Sequence, residues 1–215
     1  VSRNENGYPI GYFFGYKAIG VFQTQEEIDS YISPATGKPI QPNAAPGDTK
    51  FEDLNGDGVI SDDNEDRTMI GKPNPDWMVG LTVAADWNGF DLSAFFQGSF
   101  GADVFDALRR YELAAVNYTS DALERWTGPG TSNSMPRIVL GDTPKNFRPS
   151  TLLVHDASFL RLRNLQVGYT LPAQLTRKAY IQRLRFYASF DNLLTITGYK
   201  GMDPEIGSTM GIDKG

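Results

Sequence analysis

The sequence contains no cysteine and a single histidine. The first absence excludes disulfide staples, thiolate metal sites and cysteine nucleophiles, and it fits either a reducing cytosol or a bacterial envelope protein that avoids thiols. The second argues against a histidine-rich metal centre. A basic surplus is also missing: 26 Asp plus Glu outnumber 20 Lys plus Arg, for a net charge of −6, which argues against a nucleic-acid partner. No apolar run approaches the roughly 18 residues a membrane helix needs, and the opening VSRNENGYPI lacks the basic-then-apolar layout of a signal peptide. A β-barrel membrane protein passes this test, because its strands hide an apolar face in an alternating pattern that hydropathy averages miss.

What the chain has is aromatic residues and turn formers. Its 13 Phe, 10 Tyr and 3 Trp, punctuated by 22 Gly and 13 Pro, give the profile of β structure with many turns, and 215 residues at 40% hydrophobic can bury a core. The clearest local signal is WMVGLTVAADWNGFDLSAFFQGSF, residues 77 to 100. Asn88-Gly89 between two alternating runs predicts a hairpin with a two-residue turn, strands 77–87 and 90–100. That turn fixes the register, pairing Trp87 with Phe90, Ala85 with Leu92, Val83 with Ala94, Leu81 with Phe96, Val79 with Gly98 and Trp77 with Phe100, all on one face. The opposite face, from Met78 to Asp86 and from Asp91 to Ser99, is mostly small and polar with one aromatic exception, Phe95. Eleven-residue strands tilted about 45° cover roughly 26 Å, close to the apolar band of an outer-membrane barrel, and the dry face has aromatics at both ends. A hairpin of a soluble β-sandwich would read the same way, since alternation says that one face is dry and not what dries it.

Two further strands follow at 158–171 and 183–194. The apolar set of the first changes phase at Asn164, which predicts a β-bulge there, and the connection PAQLTRKAYI has room for one helical turn. The aromatic and glycine-rich run at 10–22 is a fifth strand candidate. Segments 23–76 and 101–156 are far longer than ordinary connections, and neither reads as a self-contained domain. Alternating the strand directions puts 23–76, 101–156 and 195–215 at one end of the sheet and both short turns at the other, the layout of an up-and-down outer-membrane barrel with long extracellular loops.

One stretch carries possible chemistry. DLNGDGVISDDN, residues 53 to 64, matches the start of a calcium loop: Asp53, Asn55 and Asp57 at positions one, three and five, Gly58 for the sharp turn and the Val59 carbonyl at seven. Position twelve is Asn64 instead of a bidentate Glu, although Asp62, Asp63, Glu65 and Asp66 stand nearby, and an acidic turn holding no ion remains the alternative. His155 beside Asp156 lacks a nucleophile, so no catalytic residue is expected and the chain is not read as an enzyme. Asp86 opposite Asp91 suits a solvated rim or lumen. Asp103 is placed to cap a short helix over 103–116. The loop aromatics Tyr111, Tyr118 and Trp126 could stack on sugars but suit loop packing better.

Several strings in order resemble the C-terminal barrel segment of the SusC/RagA family of TonB-linked outer-membrane proteins: YPIGYFFGYKAIGVFQTQEEID, PGDTKFEDLNGDGVISDD, DRTMIGKPNPDWMVGLT, FDLSAFFQGSFGADVF, RWTGPGTSNSMPR, HDASFLRLRNLQVGYTLP, LRFYASFDNLLTIT and GYKGMDPEIG. The resemblance covers essentially the whole chain. It implies an all-β fold, antiparallel up-and-down strands forming about five strands of a 22-stranded plugged barrel in the outer membrane of a Gram-negative bacterium. It implies import of large nutrients, oligosaccharides or peptides, with a SusD-like surface lipoprotein as lid and energy from TonB. The family's plug would lie upstream and its closing strand after Gly215. In the family the calcium-like loop has an Asp before the Arg of the DRT string; here Asp66-Arg67 keeps that pair, displaced by two residues from position twelve. A soluble secreted β-rich module binding carbohydrate or calcium is the reading from another class.

Overall fold

The protein is described by a computed structural model over residues 1–107 and 117–205. Its strands in chain order are β1 (Ser2–Arg3), β2 (Tyr12–Tyr16), β3 (Ala18–Val21), β4 (Thr49–Phe51), β5 (Arg67–Gly71), β6 (Trp77–Trp87), β7 (Phe90–Phe100), β8 (Asp103–Phe105), β9 (Val154–Asp156), β10 (Phe159–Thr170) and β11 (Arg185–Thr197), with short helices α1 (Gln25–Ser30) and α2 (Ala173–Thr176). They fall into two compact units, one of residues 75–102 with 156–205 and one built mainly from 1–74 with 103–155.

The first unit is a four-stranded antiparallel meander ordered β11-β10-β7-β6. Its hairpin has the predicted register along its whole length, from Trp77 opposite Phe100 to Trp87 opposite Phe90. Asn88 and Gly89 both take positive φ, 49° and 87°, as a type I′ turn demands, and a side chain at 89 would meet the Thr170 carbonyl. The expected bulge is present: between Leu162 and Asn164 the register of β10 shifts against both neighbours, leaving Arg163 as the extra residue relative to β7. Strand β11 runs three residues beyond the expected end, because LTIT continues the β-favouring run, and α2 supplies the helical turn in the short connection.

Because the register holds, apolar side chains form rows across all four strands. Trp87, Phe90, Tyr169 and Phe186 make one row, Val83, Ala94, Leu165 and Phe190 another, and Leu81, Phe96, Leu162 and Leu194 a third. The face is exposed: Trp77 is 73% accessible, Leu81 60% and Trp87 76%. Covering one such side chain is worth about 1.5–3 kcal/mol, so leaving several of them in water would forgo a sum comparable with the whole net stability of a domain, about 5–15 kcal/mol.

The second unit corrects the reading of 10–22. That run is two strands broken at Lys17, and neither joins the meander: β2 is the middle of the sheet β1-β2-β5, and β3 pairs with β4. Tyr12, Phe13, Tyr16 and Phe22 are all at most 2% exposed, so β2 is dry on both faces and belongs to a protein core, with Phe13 packed on Phe105 and Leu153. The two long segments also fold together, against the expectation that neither is domain-like. Thr49 donates its backbone N–H to Asn146 at 2.8 Å, Val21 donates to Asn133, and Arg137 grips Asp48 with bonds of 2.6 and 3.1 Å. The expected helix from Asp103 is replaced at its start by β8, which pairs with β9, because Val104 and Phe105 are buried and the Asp103 carboxylate accepts from the Lys72 N–H instead of capping a helix. Its remainder beyond 107 lies outside the described residues, as does Tyr111.

Candidate functional site

The acidic loop folds as a tight turn made by its own side chains. Asp53 accepts from the N–H groups of Gly56 at 2.8 Å and Gly58 at 2.9 Å, Asn55 accepts from Asp57, and Asp57 accepts from Val59 at 2.8 Å. Gly56 and Gly58 both have positive φ, and at Gly58 a side chain would strike Ser33 and Thr36, so the glycine is required twice over. Asp53, Asn55 and Asp57 therefore share one turn, and Val59 follows it directly. The acid that reaches this turn is Glu65: the Asn55 amide donates to both Asp57 and Glu65 at 3.0 Å. Asn64 accepts from the Arg67 N–H through its backbone carbonyl.

Asp66, the acid of the DRT string, has turned inward. It is fully buried and ties the loop's two ends together, accepting from Leu54 N–H at 3.2 Å and Ser61 N–H at 2.9 Å. On the outer side, hydrogen bonds from Lys145 to Asp62 and from Ser61 to Asp63 hold both carboxyls below the ordinary carboxylate range. Burial, reinforced by the charge of Asp53, pushes the Tyr31 phenol up. Among the described residues no group of three or more His, Cys, Asp and Glu side chains comes together as a metal cluster. The turn thus brings Asp53, Asn55 and Asp57 together with Glu65, while Asn64 contributes its backbone carbonyl to the Arg67 N–H.

The polar face of the meander is a second concentration of polar chemistry. Asp91 on β7 and Arg185 on β11 form a bidentate pair at 2.9 and 2.5 Å. Asn164 donates to Ser189 and Asp191. The bulge turns Arg163 onto Gln97 at 2.6 Å and Asn192 at 3.2 Å. Near the strand ends that carry Trp77 and Phe100, Arg161 bonds Thr195, Asp203 and Glu205. Sequence reading placed Asp91 opposite Asp86 correctly but missed its partner, since Arg185 lies 94 positions away and only the completed sheet brings it near. His155 stands 3.9 Å from Asp106. Trp126 packs its ring on Gly47 and donates to Gln23 at 3.2 Å, the packing role, whereas Tyr118 is exposed.

One face wet and ionic, the other apolar and open, is the construction of a membrane barrel wall. No family model matches the chain. It is 35% identical over 200 residues to TonB-dependent receptor P3 of Formosa agariphila, an alignment covering 93% of this chain and 19% of that receptor. TonB-dependent receptor SusC of Bacteroides thetaiotaomicron is 29% identical over 215 residues, 99% of this chain and 19% of the relative. Among solved structures the RagAB peptide transporter superposes with a TM-score of 0.68 at 26% identity, over 96% of this chain and 21% of that one. The chain belongs to the SusC/RagA-type TonB-dependent receptors. It spans about a fifth of the length of the curated relatives it matches. In a SusC/RagA-type receptor the meander is a stretch of barrel wall.

Proposed function

We propose that this chain is part of an outer-membrane importer of large nutrients, oligosaccharides or peptides, driven through TonB and working with a SusD-like surface lipoprotein. The reading is carried by one observation, the four-strand apolar face whose large side chains on the outer strands β6 and β11 stay exposed, with aromatic residues at both ends. A soluble secreted module would cover that face with a second layer, and among the described residues Leu81, Val83 and Leu92 stay exposed. In this reading the wall belongs to a 22-stranded barrel in a Gram-negative outer membrane, its apolar face meets lipid and its polar face lines the lumen. The described residues of 23–76, 101–156 and 198–205 then belong to the extracellular mouth, since the chain enters or leaves the meander at Trp77, Phe100, Phe159 and Thr197, all at one end of the sheet. Substrate is captured between lid and barrel and released inward when the plug is displaced. None of this calls for a catalytic group, and the receptor is read as a carrier.

Calcium at the 53–59 loop is part of the same proposal, with Asp53, Asn55, Asp57 and the Val59 carbonyl as its ligands and Glu65 in place of Asn64 as the closing acid. The alternating oxygens on one turn and the approach of Glu65 to Asn55 support it. The importer reading is tested by tagging the complete receptor in its host, fractionating the membranes and purifying under mild detergent. Recovery in the outer membrane with a stoichiometric lipoprotein, and loss of growth on one class of oligomeric nutrient when the gene is deleted, is the expected result. Recovery as a soluble, secreted protein would end it.

A further inference from the structure

Two arginines on the polar face of the meander hold carboxylates that come from no strand. After β11 the chain folds back, and residues 198–205 bring Asp203 and Glu205 onto β10. Arg161 donates to Asp203 at 2.7 Å and to Glu205 at 2.5 Å, while Arg163 donates to the other oxygen of Glu205. Both guanidiniums are otherwise fixed in place. Thr195 accepts from Arg161 Nε, Arg161 lies 5.1 Å over the Phe159 ring, and Gln97 and Asn192 accept from Arg163. The pair is thus a pre-set carboxylate receptor, with forks aimed in advance at planar anions. Its present guest is tethered through Gly198 and Gly201, residues that restrain a backbone least.

The two sides of the contact differ in accessibility. The Arg161 side chain is only 6% exposed, whereas Asp203 and Glu205 keep 35% and 27% of theirs in water. The lock is therefore seated firmly, and the key is partly wet. An exposed carboxylate gives up less on leaving than a buried one, because water already solvates part of it.

We propose that residues 198–205 form a releasable strap over the polar face, and that carboxylate-bearing solutes compete with Asp203 and Glu205 for Arg161 and Arg163. With the strap seated, the two positive charges are neutralised internally. With it lifted, they present a cationic docking point beside Gln97 and Asn192, which are already oriented by Arg163. Neutral solutes gain nothing from lifting it, so the strap discriminates by charge. The proposal rests on the sheet and its return segment, independent of which nutrient the receptor imports.

Hydrogen exchange on the complete receptor in detergent tests this in two arms. In the first, Asp203→Asn combined with Glu205→Gln is expected to speed exchange across 198–205 by about tenfold or more while β10 and β11 keep their protection. In the second, which needs no variant, succinate added to the wild-type receptor is expected to speed the same segment beyond sodium chloride of equal ionic strength. An unchanged 198–205 in the double variant, or β10 and β11 opening with it, would show that the four charges belong to the sheet and not to a releasable strap. Succinate acting no more strongly than chloride would overturn the carboxylate competition, and this arm decides the matter if the double variant does not fold.

Discussion

Asp91 and Arg185 meet across Gly168: the carboxylate comes from β7, the guanidinium from β11, and the residue of β10 between them has no side chain. A Cβ on Gly168 would lie 2.5 Å from an Arg185 nitrogen and 2.6 Å from the Asp91 oxygens. The glycine is the gap through which two non-adjacent strands are tied.

Filling that gap should therefore cost more than an ordinary surface change. Gly168→Val is expected to lower the stability of the detergent-solubilised receptor by about 1–3 kcal/mol, the usual range for overpacking. Asp91→Asn should cost less, because the pair is a quarter exposed and one hydrogen bond survives. Thermal unfolding of the two variants ranks them; the reverse order would mean that charge and not space sets the site.

The two faces of the sheet should answer oppositely to the same substitution. Leu81→Arg puts a charge in the middle of the apolar rows and is expected to cost about 2–4 kcal/mol in a bilayer, whereas Ser93→Arg on the polar face should be tolerated. Reversible unfolding in lipid vesicles separates them.

Acid should loosen the loop near residue 62. The folded Asp62 carboxyl titrates below its ordinary value because Lys145, with Arg148 and Arg67, favours the charged form. Its contribution is thus complete above about pH 4 and is lost as pH falls through the lowered value. With the Asp62 side chain 68% exposed, the effect is at most about 1 kcal/mol. Protection of the amides over 61–66, taken relative to their intrinsic exchange rates at each pH, should fall between pH 5 and pH 2 in the native protein, and Lys145→Gln should remove most of that change.

Calcium has a direct readout. Millimolar Ca²⁺ is expected to raise the unfolding temperature, Asp57→Ala to abolish the rise, and Glu65→Gln to weaken it more than Asn64→Ala does. No rise in the native receptor would leave the turn as one held by its own hydrogen bonds.

Much of the wall was legible in the sequence because its signals are local. Asn88-Gly89 sets a register that propagates for eleven residues, and the phase change at Asn164 marks a bulge whether or not the neighbouring strands are known. The aromatic content of the run at 10–22 suggests a barrel strand, but YFFGY does not alternate; a segment dry on both faces needs a core, and that lack of alternation is the clue the sequence holds. The loop unit was hidden for another reason. Its ties, such as Thr49 to Asn146 and Asp48 to Arg137, span about ninety or more residues and leave no periodic trace. The spacing of Asp53, Asn55 and Asp57 already indicated that they share one turn, but the inward turn of Asp66 depends on burial that spacing cannot reveal.

Single cysteines offer the most direct test of which face meets lipid, since this segment has none of its own to remove. With cysteine placed in turn at Leu81, Val83, Ser93 and Gln97 of the receptor in intact outer membranes, a membrane-impermeant maleimide should label 93 and 97 and spare 81 and 83, while a lipid-soluble quencher should reach only the latter pair. Labelling of 81 and 83 by the water-soluble reagent, or burial of both from either probe, would contradict the account.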